Sequence, residues 1–489
     1  MMAAFLGFVL VLLLTKHSGL GISPDSIYYL SAADSLVAGK GLYQFDDKPF
    51  IMFPFFYPSF LAFLQGVLHL SLLKGGVYLN ACLFGAVIYM SGWMLAKWKV
   101  TPWLRWLLLL LMALSPSLLE IYTMLWSETL FIMEIMLGIF IARKYFLETN
   151  YKNLFFIIII TAIILVTRLA GLAFAGTIGL LILMNHDLKW GTKIKHSIIY
   201  GCCSLLPLVL NLLRNSWVSD TLTGNRQKGT TPFLNNLEYY GTVLSSWLPF
   251  SEYTSKHSMI VAFIFLVTVF ILFVYRWWQK KEHNYYEKIT VAFTIVYSVF
   301  MLITATISRY ETINNRLLSP FFIPCLFTLS FYVVGALKSI QHKLSYSIIK
   351  IIIIIIGLAT LGDYAQKDFA SYQENSQGGI GGYTEDDWMF SETIAYLKKD
   401  SSFWGKGQPV YSNASHAVYF FTKQHLSILP ERKYQNLVKE FTQSPQLWLI
   451  WFKNEDNPEI LNLEEIKGIK NLELLKEFKD GYIFQCTSK

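Results

Sequence analysis

Long apolar stretches alternate with polar ones of varied length from residue 3 to residue 362, and there the alternation stops. A helix needs ~20 residues to cross the hydrocarbon of a bilayer. On that scale the sequence predicts eleven spans: Ala3 to about Ile22, then 76–96, 103–120, 127–146, 153–167, 169–185, 197–213, 258–275, 289–307, 317–336 and 346–362. The fifth and sixth are the informative pair. As one helix, 153–185 would be ~50 Å long, too long for one crossing; split at Arg168 it gives two spans of ~15 residues. Two such short helices cannot bring their turn to the surface, so Arg168, in LVTRLAGLA, is expected in a recess below it. A charge there needs a partner, either a carboxylate on a neighbouring helix or a visiting anion.

The first polar stretch, 21–75, opens with Ser23-Pro24-Asp25-Ser26, a helix start in which Ser23 caps, Pro24 takes the first helical position and Asp25 lies in the first turn. Tyr29, Leu30, Ala33, Leu36 and Val37 then share one face and Ser31 and Asp34 the other, as in a helix lying along a membrane surface. After Asp363 the composition shifts to Gly, Lys and Glu, which marks 363–489 as a separate soluble domain. PVYSN, LSILP, QLWLIWF and GYIFQC read as its strands, and 384–400, 431–442 and 458–475 as its helices, giving a small α/β fold.

Composition agrees with a polytopic membrane protein: of 489 residues, 54% are hydrophobic, 16% aromatic and only 15% charged. The net charge of +8 does not indicate nucleic acid, because the basic residues are dispersed among the connections instead of forming one stripe. Lys97, Lys99, Arg105, Arg143, Lys144, Lys152, Lys189, Lys193, Lys195, Arg276, Lys280, Lys281, Lys288, Lys338 and Lys343 occupy alternate short loops, which are therefore cytoplasmic. The loops 21–75, 115–126, 214–257 and 308–316 then lie on the far side, as does everything after Asp363. Lys16 alone argues for the reverse. The five cysteines have no zinc or redox spacing.

The far-side loops carry the candidate chemistry. Asp25 and Glu128 are carboxylates in first helical turns, where capping competes with catalysis as the reason for their presence. Arg168, Arg214, Arg226, Arg309 and Arg316 present cations to the same side and suit the oxygens of a phosphate, with ordinary solvated charge as the alternative for Arg226. The 214–257 loop is too long to be a plain connector.

The order of these features resembles the GT-C fold glycosyltransferases. Pro24-Asp25-Ser26 followed by Tyr28 and Tyr29, Ala32-Ala33, Leu36, Gly39 and Gly41, then Phe53-Pro54 and Tyr57-Pro58, looks like the first outer loop of that fold. Ser127-Glu128, Arg214-Asn215 with Thr223-Gly224 and Arg226, and the stretch from Arg316 to Pro320 are similar to recurring features of its bacterial branch, the group of protein O-mannosyltransferases and the lipid A aminoarabinose transferase. The resemblance covers nearly the whole chain. It implies a transmembrane transferase domain over 1–362 and a periplasmic α/β domain over 363–489, in a bacterial inner membrane. It implies a transferase that moves one sugar, with inversion, from a polyprenyl-phosphate donor to a lipid, glycan or protein acceptor. Asp25 would be the base, Glu128 a second catalytic carboxylate, and Tyr28 and Tyr57 would join the arginines around the substrate. Many relatives carry two adjacent acids in the first loop, whereas Ser26 follows Asp25 here. A divalent cation stays open as a cofactor.

Two other classes fit part of the pattern. A secondary transporter of lipid-linked sugars would also bury arginines, but internal repeats with matching broken helices are not evident. A polysaccharide polymerase or ligase is the nearer rival, set apart by the Pro24-Asp25 helix and the folded tail. The orientation is directly testable: a reporter fused after Lys489 is expected outside the cytoplasm and one near Lys281 inside. Protease accessibility that puts both on one side would overturn the eleven-span arrangement.

Overall fold

The structure, a computed structural model, describes the chain apart from Lys99, Asn225, 279–284, Arg309, Tyr310, Gln341 and 400–406, and the side chain of Lys343. In chain order the helices are α1 (Met2–Leu14), α2 (Pro24–Val37), α3 (Phe56–Gly66), α4 (Leu72–Lys97), α5 (Pro102–Ala113), α6 (Pro116–Thr123), α7 (Glu128–Leu147), α8 (Tyr151–Thr167), α9 (Gly171–Met184), α10 (Trp190–Ser219), α11 (Phe233–Ser246), α12 (Ser251–Thr254), α13 (Ser258–Trp278), α14 (Tyr285–Ile307), α15 (Asn315–Ser339) and α16 (Lys343–Gly378). There follow α17 (Asp386–Met389), α18 (Glu392–Lys399), β1 (Val410–Ser412), α19 (Ser415–Thr422), β2 (Ser427–Ile428), α20 (Gln435–Gln443), β3 (Gln446–Phe452), α21 (Leu463–Ile469), β4 (Lys470–Glu477) and β5 (Gly481–Ser488). Chain contacts divide these into two compact units. The first is 1–16, 51–60 and 70–374; the second is 17–50, 61–69 and 375–489.

In the first unit, six helical segments among the described residues are long and apolar enough to cross a membrane: α4, α10, α14, α15, α16 and the run Ser251–Trp278 that contains α13. The bent pair α5 and α6 makes a seventh if it is one span, and α1, α8 and α9 are shorter apolar helices. The bend between α5 and α6 is 45°. It falls where Pro116 has no N–H to continue a helix and Ser115 accepts a hydrogen bond from the Leu118 amide to start a new one. Most of the supposed loop 115–126 is therefore helix. Likewise the 214–257 stretch contains α11, packed so closely on α13 that a Cβ on Gly241 would lie 1.9 Å from the Ser258 carbonyl oxygen. The first helix is shorter than expected, ending at Leu14 instead of near Ile22.

The second unit gives the reason. Residues 18–22 do not continue the helix because their polar groups are bonded to the glycine-rich stretch after α16. The Ile380 amide donates to Ser18 Oγ, Thr384 Oγ1 to the Leu20 carbonyl, and the Tyr383 amide to the Ile22 carbonyl. Gly382, at φ +102°, comes so near Ile22 that a Cβ would sit 2.3 Å from its carbonyl oxygen. Helix α2 begins as expected. Pro24 is at its first position, and Ser23 and Ser26 form a reciprocal capping box in which the Ser23 amide donates to Ser26 Oγ at 3.1 Å. The expectation of a helix lying on a membrane surface fails, since Ile27 and Tyr29 through Ala33, Ser31 included, are buried and Val37 is exposed. Asp34 bonds Gln65 Nε2 and Lys423 Nζ, and Tyr28 packs on His416 of α19.

The sheet has the order β2-β1-β3-β5-β4, with β1 parallel to β2 and β3, and β5 antiparallel to β3 and β4. Leu447, Leu449, Phe441, Ile466 and Cys486 form its core. The helix expected over 458–475 is half strand. The Asn462–Glu465 capping box starts a helix that ends at Ile469, and Lys470–Glu477 then pairs along β5. The boundary expected at Asp363 falls within α16.

Gly241→Val is expected to lower stability by about 1–3 kcal/mol, because α11 must move off α13 to admit the side chain. Gly176→Ala, with nothing within 4 Å of the added carbon, should leave it unchanged or raise it slightly. Thermal unfolding of the two purified variants in detergent compares them.

Candidate functional site

The candidate site lies where α7 begins, in the first unit. Ahead of it, Asn80 of α4 donates to the carbonyls of Tyr122 and Met124 at 3.0 and 2.8 Å, which holds the non-helical stretch that leads into the helix. Glu128, the first residue of α7, is completely buried. A helix dipole contributes about 0.3–1 kcal/mol to a carboxylate in this position. That is far less than the cost of removing it from water.

Two guanidinium groups supply the difference. Arg168 Nη1 stands 2.6 Å from Glu128 Oε2 and Arg316 Nε 2.5 Å from Oε1, so each carboxylate oxygen has its own cation. Arg168 also donates to Ser127 Oγ at 2.7 Å. Its position follows from the break between α8 and α9. The helix stops at Thr167, Arg168 is extended (φ −149°, ψ 142°), and Gly171 restarts the chain so close to Ile164 that a Cβ would lie 2.7 Å from its carbonyl oxygen. Thr167 anchors the break by donating to Glu134 Oε1 at 2.9 Å.

Arg316 is fixed from the other side. Asn314 caps α15 through the Leu317 amide, and Asn315 Oδ1 accepts from Ser117 Oγ, Ser246 Oγ and Trp247 Nε1 at 2.9, 3.3 and 3.2 Å. The Arg316 guanidinium lies over the Trp126 ring, 4.2 Å from its centre, and Nη1 is 3.6 Å from Glu311 Oε1. Two cations thus face one buried carboxylate, with Glu311 more distant and half exposed. The arginine side chains keep 19% and 11% of their surface, while Glu128 keeps none. Glu311 and Glu120 also lie within electrostatic reach of Arg316, so acids balance the two cations, and the partly exposed guanidinium edges are what an incoming ligand can reach.

Of the expected site residues, the structure brings together Glu128, Arg168 and Arg316. Arg214 donates to Asn215 Oδ1 at 3.2 Å, and Asn215 Nδ2 donates to the Ile51 and Leu222 carbonyls. Arg226 is exposed and donates to Thr223 Oγ1. Tyr57 is buried near the start of α3. Arg309 lies outside the described residues. Asp25 and Tyr28 belong to the second unit, where Asp25 is half-buried in the first turn of α2. Burial, then Asp46 and Asp25, push the Tyr28 hydroxyl above its ordinary range, and burial pushes the neighbouring His416 imidazole down to about 4, so it is neutral near pH 7. Trp126, Glu311 and Asn315 were missed by sequence reasoning; their adjacency to Ser127-Glu128 and Arg316 was the available signal. Among the described residues no group of three or more His, Cys, Asp or Glu is placed to hold a metal ion.

Polytopic helices, short helices broken at a half-buried arginine and a small C-terminal sheet make up a membrane protein of the GT-C fold. Two solved structures share that fold over almost the whole chain. The crystal structure of ArnT from Cupriavidus metallidurans bound to undecaprenyl phosphate has a TM-score of 0.60 and 10% identity, covering 99% of this chain and 97% of that one. The apo form of ArnT from the same organism has a TM-score of 0.58 and 10% identity, covering 99% and 96%. No family model and no curated protein matches the sequence.

Glu128→Gln removes the charge that holds two guanidinium groups while keeping the shape. Loss of one partner from a buried ion pair costs about 3–5 kcal/mol. The partial exposure of both arginines puts the expectation at the low end, roughly 3 kcal/mol, read as a lower unfolding temperature. An unchanged unfolding temperature would show that the arginines do not depend on this carboxylate.

Proposed function

We propose that this chain is a glycosyltransferase that takes a sugar from a polyprenyl-phosphate donor and passes it to a lipid, glycan or protein acceptor. The observation that carries the reading is the buried Glu128 with Arg168 and Arg316. It is a pair of guanidinium groups held in place by one buried carboxylate, in a fold also found in a protein crystallised with undecaprenyl phosphate.

The reaction such a site serves is displacement at the anomeric carbon. The acceptor oxygen forms a new bond to that carbon, the bond from carbon to the phosphate oxygen breaks, and prenyl phosphate leaves with the electron pair, inverting the configuration. A base takes the acceptor proton; Asp25 is our candidate. As the bond breaks, negative charge grows on the phosphate, and fixed cations stabilise that charge more than the ground state. Arg168 and Arg316 suit this role because their positions are set before substrate arrives. Glu128, with both oxygens engaged, is better suited to positioning the two arginines than to proton transfer. The orientation implied by the basic loops puts the C-terminal domain outside the cytoplasm of a bacterial inner membrane, and a divalent cation remains a candidate cofactor.

Arg168→Ala and Arg316→Ala are each expected to raise the apparent KM for the prenyl-phosphate donor more than they reduce the amount of folded protein. Asp25→Asn retains size and capping while losing the charge, so turnover should fall by roughly 10²-fold with folding intact. Mass spectrometry of product formed in membranes given defined prenyl-phosphate sugars measures all three. A stable Asp25→Asn protein with normal turnover would remove Asp25 as the base, and unchanged donor KM in both arginine variants would remove the phosphate site.

A further inference from the structure

The far end of the same helices holds a cavity that the proposed transfer does not use. It lies where α7, α9 and α13 end and α14 begins, and its volume is about 340 Å³. Phe146, on its wall, is ~27 Å along α7 from Glu128 at 1.5 Å per residue. The two places are therefore separated by close to the thickness of a hydrocarbon layer.

The cavity has unspent hydrogen-bonding capacity. Asn185 follows the last residue of α9 and is 9% exposed. Its Oδ1 accepts the Asp187 amide at 3.0 Å, while its Nδ2 is buried and has no partner. A buried amide donor of this kind calls for an acceptor. Around it stand Lys288, the His186 ring packed at 4.3 Å on Trp277, and Tyr285, whose hydroxyl donates to Asp187 Oδ2 at 3.3 Å. The described lining residues thus offer an ammonium, an unpaired amide N–H, an imidazole and an indole, and Asp187, the one carboxylate among them, already accepts a bond. An occupant rich in acceptor oxygens and negatively charged fits this donor set. Phe146 and Leu181 supply an apolar wall beside it.

The surrounding charge points the same way. Arg143 lies over the Tyr286 ring at 4.8 Å, and Glu287 is paired with Arg276. On the orientation given by the basic loops, this end meets the cytoplasmic leaflet, where anionic lipids and aromatic or basic anchors coincide.

We propose that this cavity binds the phosphate headgroup of an anionic membrane lipid, with Asn185 and Lys288 donating to the phosphate oxygens and the aromatic rings flanking the glycerol. The test uses the purified full chain and native mass spectrometry after exchange into phosphatidylglycerol or phosphatidylcholine. The wild type should retain phosphatidylglycerol by about tenfold over phosphatidylcholine. Lys288→Gln and Asn185→Leu should each remove most of that preference, while unfolding temperature in phosphatidylcholine nanodiscs stays near wild type. Equal retention of the two lipids, or an unchanged preference in Lys288→Gln, overturns the proposal. Inorganic phosphate is the second arm. If millimolar phosphate displaces phosphatidylglycerol completely, the occupant is a soluble phosphate and the lipid assignment is wrong; if it does not, the lipid is required. Should Asn185→Leu fail to fold, Lys288→Gln decides alone.

Discussion

A carboxylate with no exposed surface cannot stay charged in a helical bundle unless its surroundings are built around it, and Glu128 sets that condition for much of the first unit. Its two oxygens need two cations, each arriving on a different element and at a defined angle. One comes from an interruption between α8 and α9, the other from the capped start of α15. Polar groups of α4, α6 and α11 brace the chain on either side through Asn80, Ser117 and Ser246. An apolar bundle could be packed without any of these bonds. Their purpose is intelligible if the arginines must be held still before anything negative arrives.

Rigid cations are worth more than mobile ones in such a setting. A lysine or arginine on a solvated loop must be ordered and stripped of water when a phosphate binds, and part of the interaction is spent on that ordering. Here the ordering has already been done by folding, and Trp126 shields one face of the Arg316 guanidinium from solvent. The cost appears as lost stability whenever one partner is removed, the usual exchange between stability and a preorganised site.

How far the sequence revealed this depends on whether the determining forces are local. The break at Arg168 was readable because helix rise and bilayer thickness leave few choices for 153–185, and the start of α2 because Ser23, Pro24 and Ser26 act within one turn. The partner of Arg168 was not readable. Residues 128, 168 and 316 meet only through the packing of three helices, and a carboxylate and an anion satisfy an arginine equally well on paper. The membrane-surface reading of α2 failed for a related reason, since an amphipathic face signals burial without saying against what. In the C-terminal domain, Leu472 and Leu474 lie on a strand that the pattern suggested was helix, and only pairing with β5 decided it.

The close approach of Gly382 to Ile22 has a consequence for how the protein is made. The helix that carries Asp25 emerges early in synthesis, yet the groups that hold it, from Ile380 to Lys423, emerge long afterwards. Until then Ser18, Leu20 and Ile22 lack the partners they have in the folded unit, and α2 has no surface to cover its buried face. Assembly of this unit is therefore necessarily late, whatever the order in which the membrane helices insert. A chain cut short after α16 would present every transmembrane helix and still leave Asp25 on an unfinished segment.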